Sequence, residues 1–195
     1  MSNVLTDRHC SNLTLITGGA RSGKSVFAEK LAAKSQLPVI YLATMEEVQS
    51  DPEAAERIRR HRERRPREWK TIERARRVHE VVDEFSADQS VCIFDCISLY
   101  VSNILLDGYS EDPLAMQLLE KETADAAAKL LTAIASKPNV HFIMVTNEVG
   151  AGIVPENGLA RLYRDLLGVT NQIFAQAAHE VWLSAVGLQL KLKPQ

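Results

Sequence analysis

The chain has 195 residues, 46% of them hydrophobic, and a formal net charge of −2. That length supports one sizeable core and is short for two, so a single domain over residues 13–195 is expected behind a loose polar extension at residues 1–12. The charge balance excludes a global attraction to nucleic acid or an acidic membrane. No apolar run approaches the ~18 residues of a membrane span, and residues 1–12 lack a signal-peptide core, so a cytoplasmic protein without stable membrane insertion is expected.

Residues 13–17 form a short, β-branched apolar run that ends in two glycines and passes into a helical pattern over residues 24–35. This reads as strand, tight loop, helix. A second strand, residues 39–43, follows Pro38, and a polar helix over residues 51–65 closes at Pro66. Residues 90–95 carry Val91, Cys92, Ile93 and Phe94 in succession, as suits a strand covered on both faces. A long Ala-, Leu- and Glu-rich helix spans residues 112–137, opening at Asp112-Pro113 and stopping before Pro138. Residues 140–146 read as a further strand. Residues 158–178 form a helix with Leu159, Leu162, Leu166 and Leu167 inward. Strands at residues 180–185 and 188–193, separated by Val186 and Gly187, make an antiparallel hairpin.

This alternation predicts a three-layer α/β fold, with a mainly parallel sheet, helices on both faces and an antiparallel C-terminal edge hairpin. Ligands in such sheets lie at the carboxyl ends of the strands, where Gly18, Thr44, Asp95 and Asn147 are expected to emerge. Cys10, Cys92 and Cys96 read as reduced core thiols. The C-x3-C spacing of the last two lacks a nearby second Cys/His pair for zinc, and no tightly bound cofactor is expected.

Gly18, Gly19, Ala20, Arg21, Ser22, Gly23, Lys24 and Ser25 fit G-x4-G-K-S in full, between a strand and a helix as the mechanism requires. Glycines let backbone N–H groups curl around phosphates, and the helix N-terminus adds positive potential. Lys24 reaches the terminal phosphates, and the Ser25 hydroxyl suits magnesium. A purine nucleoside triphosphate is therefore the expected ligand. Asp95, ending an apolar strand, reads either as a strand cap or as the acid that holds magnesium, and it is expected to emerge beside the phosphate loop.

Residues 56–77 hold eleven Lys or Arg against four Glu, with only Trp69 among them as an aromatic. Charge runs are ordinarily solvated helix faces, and one aromatic is too few for a nucleic-acid stacking platform. Within the run lies His61. A lone histidine is more often a surface residue, yet neutral imidazole attacks phosphorus readily and passes the group on, with arginines steadying the phosphates. Residues 145–157, VTNEVGAGIVPEN, are too polar and Gly-rich for a core element and read as an active-site loop.

TGGARSGKS at 17–25, R-I-x-x-H-x-x-x-R-P at 57–66, W-x-T-x-E at 69–73 and VTNEVGAGIVPEN at 145–157 together closely resemble the bifunctional adenosylcobinamide kinase / adenosylcobinamide-phosphate guanylyltransferase family. The resemblance runs from about residue 13 to 193, through Arg161, Arg164-Asp165 and Asn171-Gln172. It implies a P-loop fold similar to RecA, a homotrimer, and two reactions in cobalamin nucleotide-loop assembly. In the first, adenosylcobinamide is phosphorylated with ATP or GTP. In the second, GTP gives GMP to an enzyme histidine with loss of pyrophosphate, and GMP then passes to adenosylcobinamide phosphate, making adenosylcobinamide-GDP.

His61 matches the family's guanylylated histidine. Carried across motif by motif, residues 18–25 hold phosphates. Thr44, Met45, Glu46, Arg62, Glu63, Arg64 and Arg65 line the GTP site, and Glu73 and Asp95 complete it, with Ser25 and Asp95 as magnesium candidates. A plain P-loop small-molecule kinase is the nearest rival and leaves His61 without a role. A nucleotide-switched RNA-binding module is disfavoured, because Glu63, Glu68 and Glu73 interrupt the positive charge and no aromatic series accompanies it.

Overall fold

A computed structural model describes residues 9–45, 56, 59, 62, 63 and 65–193. Its strands are β1 (Cys10–Thr17), β2 (Val39–Ala43), β3 (Lys70–Glu73), β4 (Ser90–Asp95), β5 (Val140–Val145), β6 (Ala178–Ala185) and β7 (Leu188–Lys193). The helices among the described residues are α1 (Lys24–Lys34), α2 (Val78–Asp83), α3 (Ile97–Gly108), α4 (Pro113–Ala135) and α5 (Gly158–Ala177). They build one sheet of order β3-β2-β4-β5-β1-β6-β7, parallel except for the edge pair β6–β7.

Helix limits follow local chemistry. The Asp112 carboxylate accepts from Leu114 N–H at 3.1 Å, and Pro113, which has no N–H to leave unpaired, occupies the first turn of α4. The Asn157 side chain likewise accepts from Ala160 N–H at 3.0 Å to open α5. Two apolar layers hold the sheet. Ile16, Tyr41, Ile93, Ile143 and Val145 pack against Ala28 and Ala32 of α1. On the other face Leu13, Leu15, Leu42, Phe94, Phe142 and Met144 meet Val78, Val101, Leu130, Leu167 and Phe174 of α2 to α5. Among the described residues, no helix is long and apolar enough to cross a membrane.

Three differences from the sequence reading concern the site. First, β5 lies between β1 and β4, so Asp95 stands one strand away from the phosphate loop rather than beside it. Second, β1 opens at Cys10, so residues 10–12 belong to the sheet; the Asn12 amide donates to Val140 O and Lys137 O, each at 2.9 Å. Third, β3, α2 and α3 are additional elements between the expected ones. The helix expected at residues 51–65 lies mostly outside the described residues, within which Glu56, Arg59, Arg62 and Glu63 are helical.

Register brings the carboxyl ends of the strands into one row. Glu73 pairs with Ala43, Ala43 with Asp95, Asp95 with Val145, Val145 with Ile16, and Ile16 with Trp182. The hairpin then supports the phosphate loop from the side. Gly187 N–H donates to Ser22 O at 3.1 Å, and Gly18 adopts φ +146° against β6. A Cβ at Gly18 would lie 2.2 Å from Ser184 O, whereas one at Gly19 would meet nothing within 4 Å among the described residues. Gly18→Ala is therefore expected to lower unfolding stability by about 2 kcal/mol or more, and Gly19→Ala by no more than about 1 kcal/mol, as read by urea unfolding.

Candidate functional site

The turn from β1 into α1 places residues 18–25 at the head of the carboxyl-end row. Gly23, at φ 98°, is the N-cap of α1 and offers no side-chain cap, so the N–H groups of the first turn remain directed at the loop. Lys24 is only 7% exposed, and its ammonium donates to Gly18 O at 2.9 Å and Gly19 O at 2.5 Å. A buried cation resting on backbone carbonyls, at a positive helix terminus, can serve an anion that comes to the turn. Ser22 is buried, Ser25 half-buried, and Gly19, Ala20 and Arg21 form the exposed rim, with Arg21 at φ 56°.

The ends of β2 and β4 are locked together. Thr44 is fully buried; its N–H donates to Asp95 O at 3.1 Å, its hydroxyl donates to Cys96 O at 2.8 Å, and Cys96 N–H returns a bond to that hydroxyl at 2.9 Å. Asn103 of α3 donates to Thr44 O at 2.9 Å and Ala75 O at 3.1 Å, tying the segments that leave β2 and β3. The Asp95 side chain lies on the α1 face of the sheet and accepts a hydrogen bond from Tyr41 Oη on Oδ2. Burial and the neighbouring Asp95 carboxylate raise the Tyr41 phenol well above its ordinary value, so it remains a donor at any working pH.

The basic segment reaches this row through two contacts. The Arg62 guanidinium donates to Glu73 Oε1 at 2.5 Å from the end of β3, and the Arg65 guanidinium carbon lies 3.4 Å from the centroid of the Tyr41 ring. The first is solvent-exposed and worth no more than about 1 kcal/mol; the second, over a buried ring, contributes about 0.5–2 kcal/mol. Glu63 instead pairs with Arg59 at 2.5 Å, along its own helix rather than toward Glu73. Met45 follows Thr44, half-buried. His61, Glu46 and Arg64 lie outside the described residues.

The loop after β5 is held at its base and open at its tip. Thr146 N–H donates to Ile16 O at 2.9 Å and Glu148 N–H to Gly18 O at 3.0 Å, so the loop lies against the phosphate loop. The Thr146 hydroxyl donates to Asn171 Oδ1 at 2.6 Å, Asn171 Nδ2 donates to Asn147 O at 3.0 Å, and Asn147 Nδ2 donates to Ser98 Oγ at 3.2 Å. Tyr163 adds a 3.3 Å bond to Ser98 O, its phenol pushed up by burial to about 12. Beyond this base Ile153 is 97% exposed.

Gly18, Thr44, Asp95 and Asn147 thus do emerge together, as the sheet rule predicts. Tyr41, Ser98 and Asn103 are additional residues at the site. Tyr41 sits in the apolar run VIYLA and reads there as core; its one legible signal is a phenolic hydroxyl in an otherwise apolar strand.

Residues 14–192 match the family model described as cobinamide kinase / cobinamide phosphate guanyltransferase. The chain is 41% identical over 183 residues to the bifunctional adenosylcobalamin biosynthesis protein CobU of Escherichia coli (strain K12), covering 93% of this chain and 99% of that one. It is 37% identical over 179 residues to CobP of Pseudomonas aeruginosa, also described as a bifunctional adenosylcobalamin biosynthesis protein, covering 92% of this chain and 96% of that one. Among solved structures, an ATPase of the type III secretion system of pathogenic bacteria is similar in fold alone: TM-score 0.54 at 11% identity, over 92% of this chain and 56% of that one.

Asn171 is the side chain on which the base of the loop depends. Asn171→Ala is expected to cost about 1–3 kcal/mol in urea unfolding, because it leaves the buried Thr146 hydroxyl and the Asn147 carbonyl short of a partner. In a double-mutant cycle with Thr146→Val the two losses are expected to fall short of additivity by about 0.5 kcal/mol or more.

Proposed function

The chain belongs to the cobinamide kinase / cobinamide phosphate guanyltransferase family, and on that premise we propose how its own residues divide the two reactions. It is a bifunctional enzyme of cobalamin biosynthesis, acting as cobinamide kinase and as cobinamide-phosphate guanylyltransferase. In the kinase step the side-chain hydroxyl of adenosylcobinamide attacks the γ-phosphorus of ATP or GTP, and the nucleoside diphosphate leaves. In the second step a nitrogen of the His61 imidazole attacks the α-phosphorus of GTP and pyrophosphate leaves. A phosphate oxygen of adenosylcobinamide phosphate then displaces the imidazole from phosphorus, giving adenosylcobinamide-GDP and free His61.

Residues 18–25 cradle the triphosphate in both steps, with the Lys24 ammonium facing the charge that moves onto the leaving phosphate. The Ser25 hydroxyl and the Asp95 carboxylate, hard oxygen donors on the α1 face of the sheet, suit magnesium. Bound there with nucleotide, the ion neutralises phosphate charge. Thr44, Met45, Glu46, Arg62, Glu63, Arg64, Arg65 and Glu73 form the GTP surround. The observation that carries this division is the seating of the basic segment, by Arg62 on Glu73 and Arg65 on Tyr41, over the same strand ends that hold the phosphate loop and Asp95.

A homotrimer in the cytoplasm completes the reading. The exposed row Leu188, Leu190 and Leu192 on the edge strand β7 supports self-association, since such an edge is ordinarily covered.

With GTP labelled in the α-phosphate, the protein is expected to acquire an acid-labile, base-stable adduct that chases into product on adding adenosylcobinamide phosphate; no adduct at neutral pH would leave only the plain kinase. His61→Ala is expected to abolish adduct and guanylyl transfer while retaining kinase activity at least in part. Lys24→Ala is expected to depress both activities by roughly 100-fold or more, as loss of a preorganised charge at the transferring phosphate does.

A further inference from the structure

We infer that Tyr41 is a positioning residue for both reactions: its hydroxyl sets the Asp95 carboxylate and its ring seats Arg65, so that one buried side chain joins the metal-binding acid to the basic segment. This deepens the division of labour proposed above and rests on it.

Tyr41 is 1% exposed, on the α1 face of β2. Its strand partner is Ile93, and Asp95 follows two residues later on the same face, so the ring extends along the sheet toward the carboxyl end. A phenylalanine would fill the same space beneath α1. What the hydroxyl adds is a hydrogen bond to Asp95 Oδ2, which orients the carboxylate and leaves Oδ1 for another ligand. An acid that must present one oxygen to magnesium and not swing needs such a partner.

The ring does separate work. Arg65 Nε is buried and has no hydrogen-bond partner among the described residues, while the guanidinium carbon stands 3.4 Å from the ring centroid. Stacking on the aromatic face is therefore the contact that fixes this end of the guanidinium, and lysine cannot reproduce it, because an ammonium is compact and not planar. Arg65 N–H in turn donates to Arg62 O at 3.2 Å, so seating Arg65 also places the turn that carries Arg62 to Glu73.

The two contacts predict two different losses. Asp95 serves the triphosphate in both reactions, so Tyr41→Phe, which keeps the ring, is expected to lower kinase and guanylyl transfer together by about 2- to 12-fold and to raise the half-saturating magnesium concentration. Arg65→Lys and Tyr41→Leu disturb the seat of the basic segment and are expected to reduce guanylyl transfer about 2- to 30-fold more than kinase activity. Thermal melts and far-UV circular dichroism establish folding, and Arg65→Lys, at a half-buried position outside the sheet, keeps the test available where Tyr41→Leu fails to fold. A ratio of the two activities unchanged in Arg65→Lys, or a magnesium dependence unchanged in Tyr41→Phe, would overturn the inference while leaving the bifunctional reading intact. A parent protein that forms no GMP adduct would overturn both.

Discussion

The backbone of Gly18 passes so close to the carbonyl of Ser184 that a single methyl group would lie 2.2 Å from that oxygen. The turn can be built only because β1 is followed by a residue without a side chain and with φ available at +146°. From that contact the rest of the site follows. The loop is held laterally by Gly187 N–H on Ser22 O and by Glu148 N–H on Gly18 O, so the hairpin and the segment after β5 are both fitted to it. An anion site formed from backbone N–H groups works only if the backbone does not relax, and these neighbours restrain it.

Electrostatics at the site are local. A chain with net charge −2 gathers eleven of its 23 Lys and Arg into one run, residues 56–77. Arg62 and Arg65 each find a partner at the strand ends, one a carboxylate and the other an aromatic face. The two partners differ in strength for a physical reason. The exposed pair with Glu73 is screened by water and salt, whereas the Tyr41 ring is buried and its contact with Arg65 is not. The basic segment is thus an attached part of the site and not a solvated helix face alone.

The loop after β5 shows how a polar, Gly-rich segment can be firm at one end and open at the other. Thr146, Asn147, Asn171 and Ser98 satisfy one another in a chain of hydrogen bonds beside the phosphate loop, while Ile153 stands almost wholly in solvent. Such an arrangement gives the loop a fixed origin and an exposed tip.

By itself the sequence determined the alternation of strands and helices, the limits of β2, β4 and α1 to within a residue, and the glycine-rich turn between β1 and α1, because period, glycine placement and helix caps are local signals. It also determined the family, since four motifs in order exceed what one P-loop carries. The insertion of β5 between β1 and β4 was not legible, because strand order depends on which crossovers pack and not on chain order. Short elements such as β3 and α2 escaped for a related reason: four and six residues carry too few periods to register. Only the tertiary structure showed that Tyr41, indistinguishable from core in an apolar run, stands between Asp95 and Arg65. A hydrogen bond spanning 54 positions and a ring stacked on a guanidinium 24 residues away leave no trace in local pattern; they exist only when parallel register brings the strand ends together.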